Sequence, residues 1–138
     1  MKNSFTATTS LPLSEEQEQR ALVEWARLSL GRFPDLHLLF HIPNGGLRHP
    51  VTAQKMKLAG AKSGVPDLML PVPRRGFHGL FIEMKRTDRK PTGRVPAPKG
   101  ALSDTQVWWV GELRLNGYRV EVCYGFEAAR QVLEEYLS

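Results

Sequence analysis

The chain predicts an α/β domain of three layers, with helices on either side of a mixed β-sheet. Two observations lead there. Short apolar runs of strand length alternate with longer stretches whose apolar residues recur at helical spacing, in the order helix, strand, short helix, strand, strand, helix, strand, helix. The length, 138 residues with 41% hydrophobic and 24% charged, suits one globular core and not two.

Met1 to Pro12 is rich in Ser and Thr and has no apolar stretch of signal-peptide type. A disordered lead-in over residues 1–13, a folded domain over 14–138 and a cytoplasmic site are the expectations. Ser14 with Gln17 three residues on forms a capping-box pattern, and Ala21, Leu22, Trp25 and Leu28 follow at helical spacing, predicting a helix over about Glu15 to Leu30. Its acidic first turn, which includes Glu15 and Glu18, complements the helix dipole. Gly31 and Pro34 end it, and the apolar run Leu36 to Ile42 predicts a strand. Pro43-Asn44-Gly45-Gly46 stops that strand. Its glycines permit positive φ and close approach of backbone amides to a phosphate, although ordinary turn chemistry explains them equally well. Arg48 and His49 are candidate phosphate ligands beside it. His41 fits either a DNA contact or a structural hydrogen bond.

A short helix over Thr52 to Ala61 turns Lys55, Lys57 and Lys62 outward. Two strands follow, around Leu68-Met69-Leu70 and over Leu80 to Lys85, joined by a Pro/Arg/Gly hairpin. Thr87 to Gly100 is too broken by proline and glycine for regular structure and reads as a mobile basic loop facing substrate, or as a connector without a role. Ser103 caps the next helix, with Leu102, Val107, Val110, Leu113 and Leu115 expected inside and Gly117 at its end. Trp108 and Trp109 are consecutive, so one is expected to pack inward while the other reaches a partner or nucleotide. Tyr118 to Tyr124 alternates as a strand, and a last helix runs to Leu137. The lone Cys123 reads as a buried strand residue, which disfavours disulfide and zinc chemistry.

Lysine and arginine outnumber acids 19 to 14, for a net charge of +5, which favours a polyanionic partner. The basic residues cluster: Arg74-Arg75, Lys85-Arg86, Arg89-Lys90, Arg94 and Lys99 are expected to crowd the neighbourhood of Asp67 and Glu83. An even solubility surface would spread them more widely.

Those two acids carry the chemistry. Asp67 follows Pro66, which has no N–H for a ladder and marks a strand start. Glu83 and Lys85, two apart on a strand, leave one face while Met84 leaves the other. Antiparallel pairing brings Asp67 beside Glu83. Two carboxylates and an ammonium at one sheet edge suit a hard divalent cation and a phosphate. The plainer alternative is a turn aspartate and a surface ion pair on an edge strand.

Pro66-Asp67, a hairpin, then Glu83-x-Lys85 behind an apolar run resembles the signature of the PD-(D/E)XK nuclease superfamily. Gly64-Val65-Pro66-Asp67-Leu68, Ile82-Glu83-Met84-Lys85 and Ser103-Asp104-Thr105-Gln106 are similar to its small VRR-NUC branch, over about Ser14 to Ala129. The resemblance implies a restriction-endonuclease-like domain, a central mixed β-sheet flanked by helices, acting as a metal-dependent DNA endonuclease. Asp67, Glu83 and the main-chain carbonyl of Met84 would hold Mg²⁺ or Mn²⁺, and Glu15 would complete the shell directly or through water, with Glu18 as its rival. Lys85 would orient the nucleophile and stabilise developing charge. Gln106 would position water or phosphate, unless it only closes a capping box with Ser103. Asn44, Gly45, Arg48, Arg86, Arg89, Lys90 and Arg94 are the expected DNA contacts. Stand-alone members resemble Holliday-junction resolvases, so branched DNA and a homodimer are expected, and the small size points to a phage or mobile-element source. Cleavage of flaps or single strands fits the same residues. A non-catalytic DNA-binding module leaves the acids amid the positive charge unexplained, and phosphotransfer on a small nucleotide lacks its Gly-rich loop.

Overall fold

The computed structural model describes residues 11–43, 49–89 and 101–138. Helix α1 (Glu15–Leu28) begins where expected. Ser14 Oγ accepts from the Gln17 N–H at 3.1 Å and Gln17 Oε1 accepts from the Ser14 N–H at 2.9 Å. Its buried residues are Glu18, Leu22 and Ala26, one per turn, whereas Leu28 is exposed.

The predicted strand over 36–42 is largely replaced by a 3₁₀ turn (Pro34–Leu38), leaving only β1 (Phe40–His41) extended. Pro34 supplies a helical φ at the turn's start, and His37 Nδ1 donates to the Pro34 carbonyl at 2.6 Å. These local bonds outcompete the strand preference of an apolar run that has little sheet to join.

Helix α2 (Pro50–Leu58), strands β2 (Leu68–Leu70) and β3 (Leu80–Lys85), helix α3 (Asp104–Leu115), strand β4 (Arg119–Tyr124) and helix α4 (Phe126–Leu137) complete the domain. The sheet order is β1-β2-β3-β4, antiparallel across the first three strands and parallel between β3 and β4. A parallel neighbour needs a crossover, and α3 lies within it.

Strand alternation sorts the two faces. Leu80, Ile82 and Met84 enter the larger core with Leu22 of α1 and Leu133 and Tyr136 of α4. Phe81 turns the other way, to Val110 and Leu113 of α3 and to Val120. The result is the three-layer α/β domain with a mixed sheet. On α3 the inward residues are Gln106, Val110 and Leu113, at i, i+4 and i+7. Val107 (55% exposed) and Leu115 (82%) face outward, against expectation.

All six residues of β3 are buried, including Glu83 and Lys85. Charged groups in such a strand demand partners. Among the described residues no buried side-chain nitrogen or oxygen lacks one.

Candidate active site

The β2–β3 register pairs Leu68 with Ile82, so continuing it by one residue sets Asp67 opposite Glu83 on the α3 face. One further step sets Met84 opposite Pro66, which has no N–H. The ladder stops there. Asp67 Oδ2 replaces it, accepting from the Met84 N–H at 2.7 Å. On a strand the N–H and C=O of one residue point the same way, so the Met84 carbonyl also faces the proline, which has no donor to offer it. The next carbonyl, of Lys85, accepts from the Gly125 N–H on the β4 side at 2.9 Å.

The main-chain carbonyl of Asp67 is held by two donors from the edge strand's end, the Ile42 N–H and His41 Nδ1, each at 2.7 Å. A carbonyl only accepts, so Nδ1 of His41 carries the proton. The structural role left open for His41 is therefore filled: it anchors the start of β2. No pattern in the chain marks that bond in advance.

Glu83, 2% exposed, accepts from Gln106 Nε2 at Oε1, 3.0 Å away. Lys85 Nζ lies 3.8 Å from the same oxygen, donates to Gln106 Oε1 at 3.3 Å, and stands 3.9 Å from Glu15 Oε1. Gln106 Oε1 also accepts from the Ser103 N–H at 2.9 Å. Gln106 closes the capping box of α3 and at the same time joins Glu83 to Lys85. Gly64 allows this convergence. Its φ is +87°, and a Cβ there would lie 2.8 Å from the Cβ of Thr105, so only glycine lets the segment before Asp67 sit against the start of α3.

Burial, reinforced by the charge of Asp67, pushes the Glu83 carboxyl up to about 8, and the two acids lie within hydrogen-bonding reach of each other. Burial also raises Asp67, although the Met84 N–H opposes the rise. Two desolvated carboxylates with one ammonium nearby cannot both ionise comfortably near neutral pH. A hard divalent cation relieves that conflict. Among the described residues no third Asp, Glu, His or Cys joins them in a ligand cluster. Two carboxylates with otherwise open positions suit Mg²⁺, which keeps several waters, better than a metal needing a full protein cage.

Glu15 and Glu18 occupy different places. Glu18 is buried, and its Oε2 accepts from the Phe126 N–H at 2.5 Å. It caps α4, whose own N-cap is Gly125, with φ +95° and no side chain to do so. Glu15 is the acid of α1 that reaches Lys85.

The basic residues divide. Arg86 is held by Asp88 through two bonds of 3.1 and 2.9 Å, and Arg89 is exposed. Arg74 and Arg75 do not approach the carboxylates. The hairpin turn lies at the opposite end of β2 and β3 from Asp67 and Lys85, where Arg74 pairs with Asp35 at 2.6 Å and Arg75 with Glu135 at 3.7 Å. Asn44, Gly45, Arg48, Lys90 and Arg94 lie outside the described residues, as do residues 1–10 of the predicted lead-in. Among the described residues no helix is long and apolar enough to cross a membrane.

The family model of the VRR-NUC domain matches residues 10–127. A solved structure named as a VRR_NUC domain protein superposes with a TM-score of 0.66 at 26% identity, covering 91% of this chain and 89% of its own. No curated protein matches the chain. The mixed sheet, the acid pair across β2 and β3, and a match over most of the length agree: the chain belongs to the VRR-NUC domain family, a nuclease-type domain.

Proposed function

We propose that the chain is a metal-dependent DNA endonuclease. One observation carries the reading: a half-buried carboxylate, Asp67, faces a buried one, Glu83, where a proline stops the ladder, with a buried lysine two residues along. A purely structural sheet end gains nothing from that arrangement, since its mutual repulsion costs stability.

Asp67 and Glu83 would hold Mg²⁺ or Mn²⁺, with the Met84 carbonyl as a third oxygen donor. When bound, such an ion lowers the pKa of a water and polarises the scissile phosphate. Lys85 contributes a compact ammonium, oriented by Gln106, that hydrogen-bonds the attacking water or a phosphate oxygen as negative charge develops. Gln106 holds Glu83 by its amide N–H while its oxygen steers Lys85, and it brings no net charge to the site. Glu15, half exposed at the rim beside Lys85, is placed to accept a hydrogen bond from water entering the site. Arg86 and Arg89, which follow Lys85 in the chain and are half-exposed and exposed, would supply phosphate attraction.

The preferred substrate is branched DNA, and the working form a homodimer, because a four-way junction presents two symmetric scissile strands that a two-fold pair of sites would match. The test is incubation of the protein with four-way junction, flap, duplex and single-stranded DNA in Mg²⁺, Mn²⁺ or EDTA. The expected result is cleavage only with divalent metal, most rapid on the junction. Equal cleavage in EDTA would overturn the mechanism, and preference for linear duplex would overturn the substrate assignment.

A further inference from the structure

Beside the carboxylate site, an open groove of about 480 Å³ separates the exit of α2 from the first turns of α3, lined by Lys57, Lys62, Ser63, Thr105, Trp108 and Trp109. That volume lies in the range of ligand sites, roughly 300–1,000 Å³. Adjacent helix residues are about 100° apart, so both tryptophans border it, at three and four residues beyond Thr105. The expectation of one indole inside and one outside is thereby revised. Trp109 is fixed by donation from Nε1 to the Ser63 carbonyl at 3.1 Å. Trp108 stands perpendicular to it, with centroids 5.3 Å apart, and is 57% exposed. A tryptophan so exposed on an anchored neighbour is unusual in a residue normally well buried. Lys57 and Lys62 are exposed and form no ion pair with a described residue.

Position gives the groove its meaning. Thr105 is the residue before Gln106, which touches both Glu83 and Lys85. We propose that this groove binds an unpaired nucleobase of the DNA being cut, stacked on Trp108, with Lys57 and Lys62 on the flanking phosphates. The inference rests on the nuclease reading and adds that one nucleotide beside the scissile bond is unpaired in the bound DNA, which a branch point permits more readily than an intact duplex. Aromatic faces accept any base, but in an intact duplex those faces are already covered by stacking. An apolar protein segment would leave the two ammonium groups without counter-charge, whereas a nucleotide satisfies both ring and lysines.

The test measures binding by fluorescence anisotropy in EDTA, with Glu83→Gln protein so that no strand is cut, to a 20-nucleotide oligothymidylate and a matched 20-base-pair duplex. Trp108→Ala should weaken oligothymidylate binding roughly five- to hundredfold, the range for loss of one stacked base, and duplex binding less than about twofold. Trp108→Phe should restore most of the loss and Trp108→Leu, of similar apolar bulk, should not, which separates stacking from folding. Lys57→Ala with Lys62→Ala should flatten the salt dependence of oligothymidylate binding by about one to two released counterions. Equal losses on both DNAs, no loss, or rescue by leucine would overturn the proposal. So would unchanged DNA affinity with a smaller molecular mass in solution, which would make the groove a contact between copies. Cleavage by the parent protein in Mg²⁺ is scored separately: a protein that cuts without dependence on Trp108 sinks the groove alone, and one that cuts nothing yet shows the selective loss retains the groove and sinks the nuclease reading.

Discussion

Replacing Glu83 by glutamine should stabilise the metal-free protein, increasingly as pH rises from about 4.5 towards 8. The Glu83 carboxyl stands near 8 in the folded chain against an ordinary value of 4.5. Between those values the folded state keeps a proton that the unfolded chain has released, so stability falls as pH rises through the window and is fully present below it. Asp67 is raised in the same direction. Each pKa unit corresponds to about 1.4 kcal/mol, so the cost at pH 8.5 is on the order of a few kcal/mol. Glutamine mimics the protonated acid: its oxygen still accepts from Gln106, and its amide faces Asp67 as a donor. Thermal melts in EDTA should show the variant and parent nearly equal at pH 5 and the variant higher by roughly 5–15 °C at pH 8.5. Added Mn²⁺ should raise the parent's Tm at pH 8.5 and leave the variant's unchanged. A pH-independent difference, or a variant less stable at every pH, would refute the electrostatic account of the pair.

Three further outcomes follow from the same geometry. Lys85→Ala should cut the single-turnover cleavage rate by about two orders of magnitude with little change in DNA affinity, and Lys85→Arg should not fully restore it, because a broad guanidinium does not fit the place of an ammonium; a near-parental rate in either variant removes Lys85 from the mechanism. Ser103→Ala should cost only a cap, about 1 kcal/mol in chemical denaturation, with cleavage near normal, whereas Gln106→Ala should lose both cap and rate; similar kinetics for the two would reduce Gln106 to its capping role. Glu18→Ala should lower stability by about 1–3 kcal/mol through the uncapped start of α4 while the protein that remains folded cuts DNA normally, and loss of cleavage without loss of stability would return Glu18 to the site.

The acid pair was legible because its cues are short-range and rigid. Pro66 cannot extend a ladder, period-two alternation puts Glu83 and Lys85 on one face, and a hairpin sets the register. Gln106 was legible as a capping residue, and the same amide has enough donors and acceptors to bond Glu83 and Lys85 as well. Arg74 and Arg75 were misplaced by proximity in sequence, although a hairpin turn necessarily lies at the other end from its strands' outer termini. The segment Leu36–Ile42 failed differently: its apolar content is real, but Pro34 and a bond from His37 favour a 3₁₀ turn. On α3, outward Val107 and Leu115 show that apolar residues alone do not fix a helix face when a polar one, Gln106, must point inward. Glu18 capping a helix that starts 108 residues later has no local signature at all.

The central claim, that Asp67 and Glu83 together hold a divalent cation, is tested most directly by titrating Mn²⁺ against the protein at pH 8 and following free ion by electron paramagnetic resonance, for the parent and for Asp67→Asn. The expected result is saturable binding to the parent, release of protons as Glu83 ionises, and loss of the site in Asp67→Asn with the circular dichroism spectrum unchanged. Parental Mn²⁺ binding by a folded Asp67→Asn variant would contradict it.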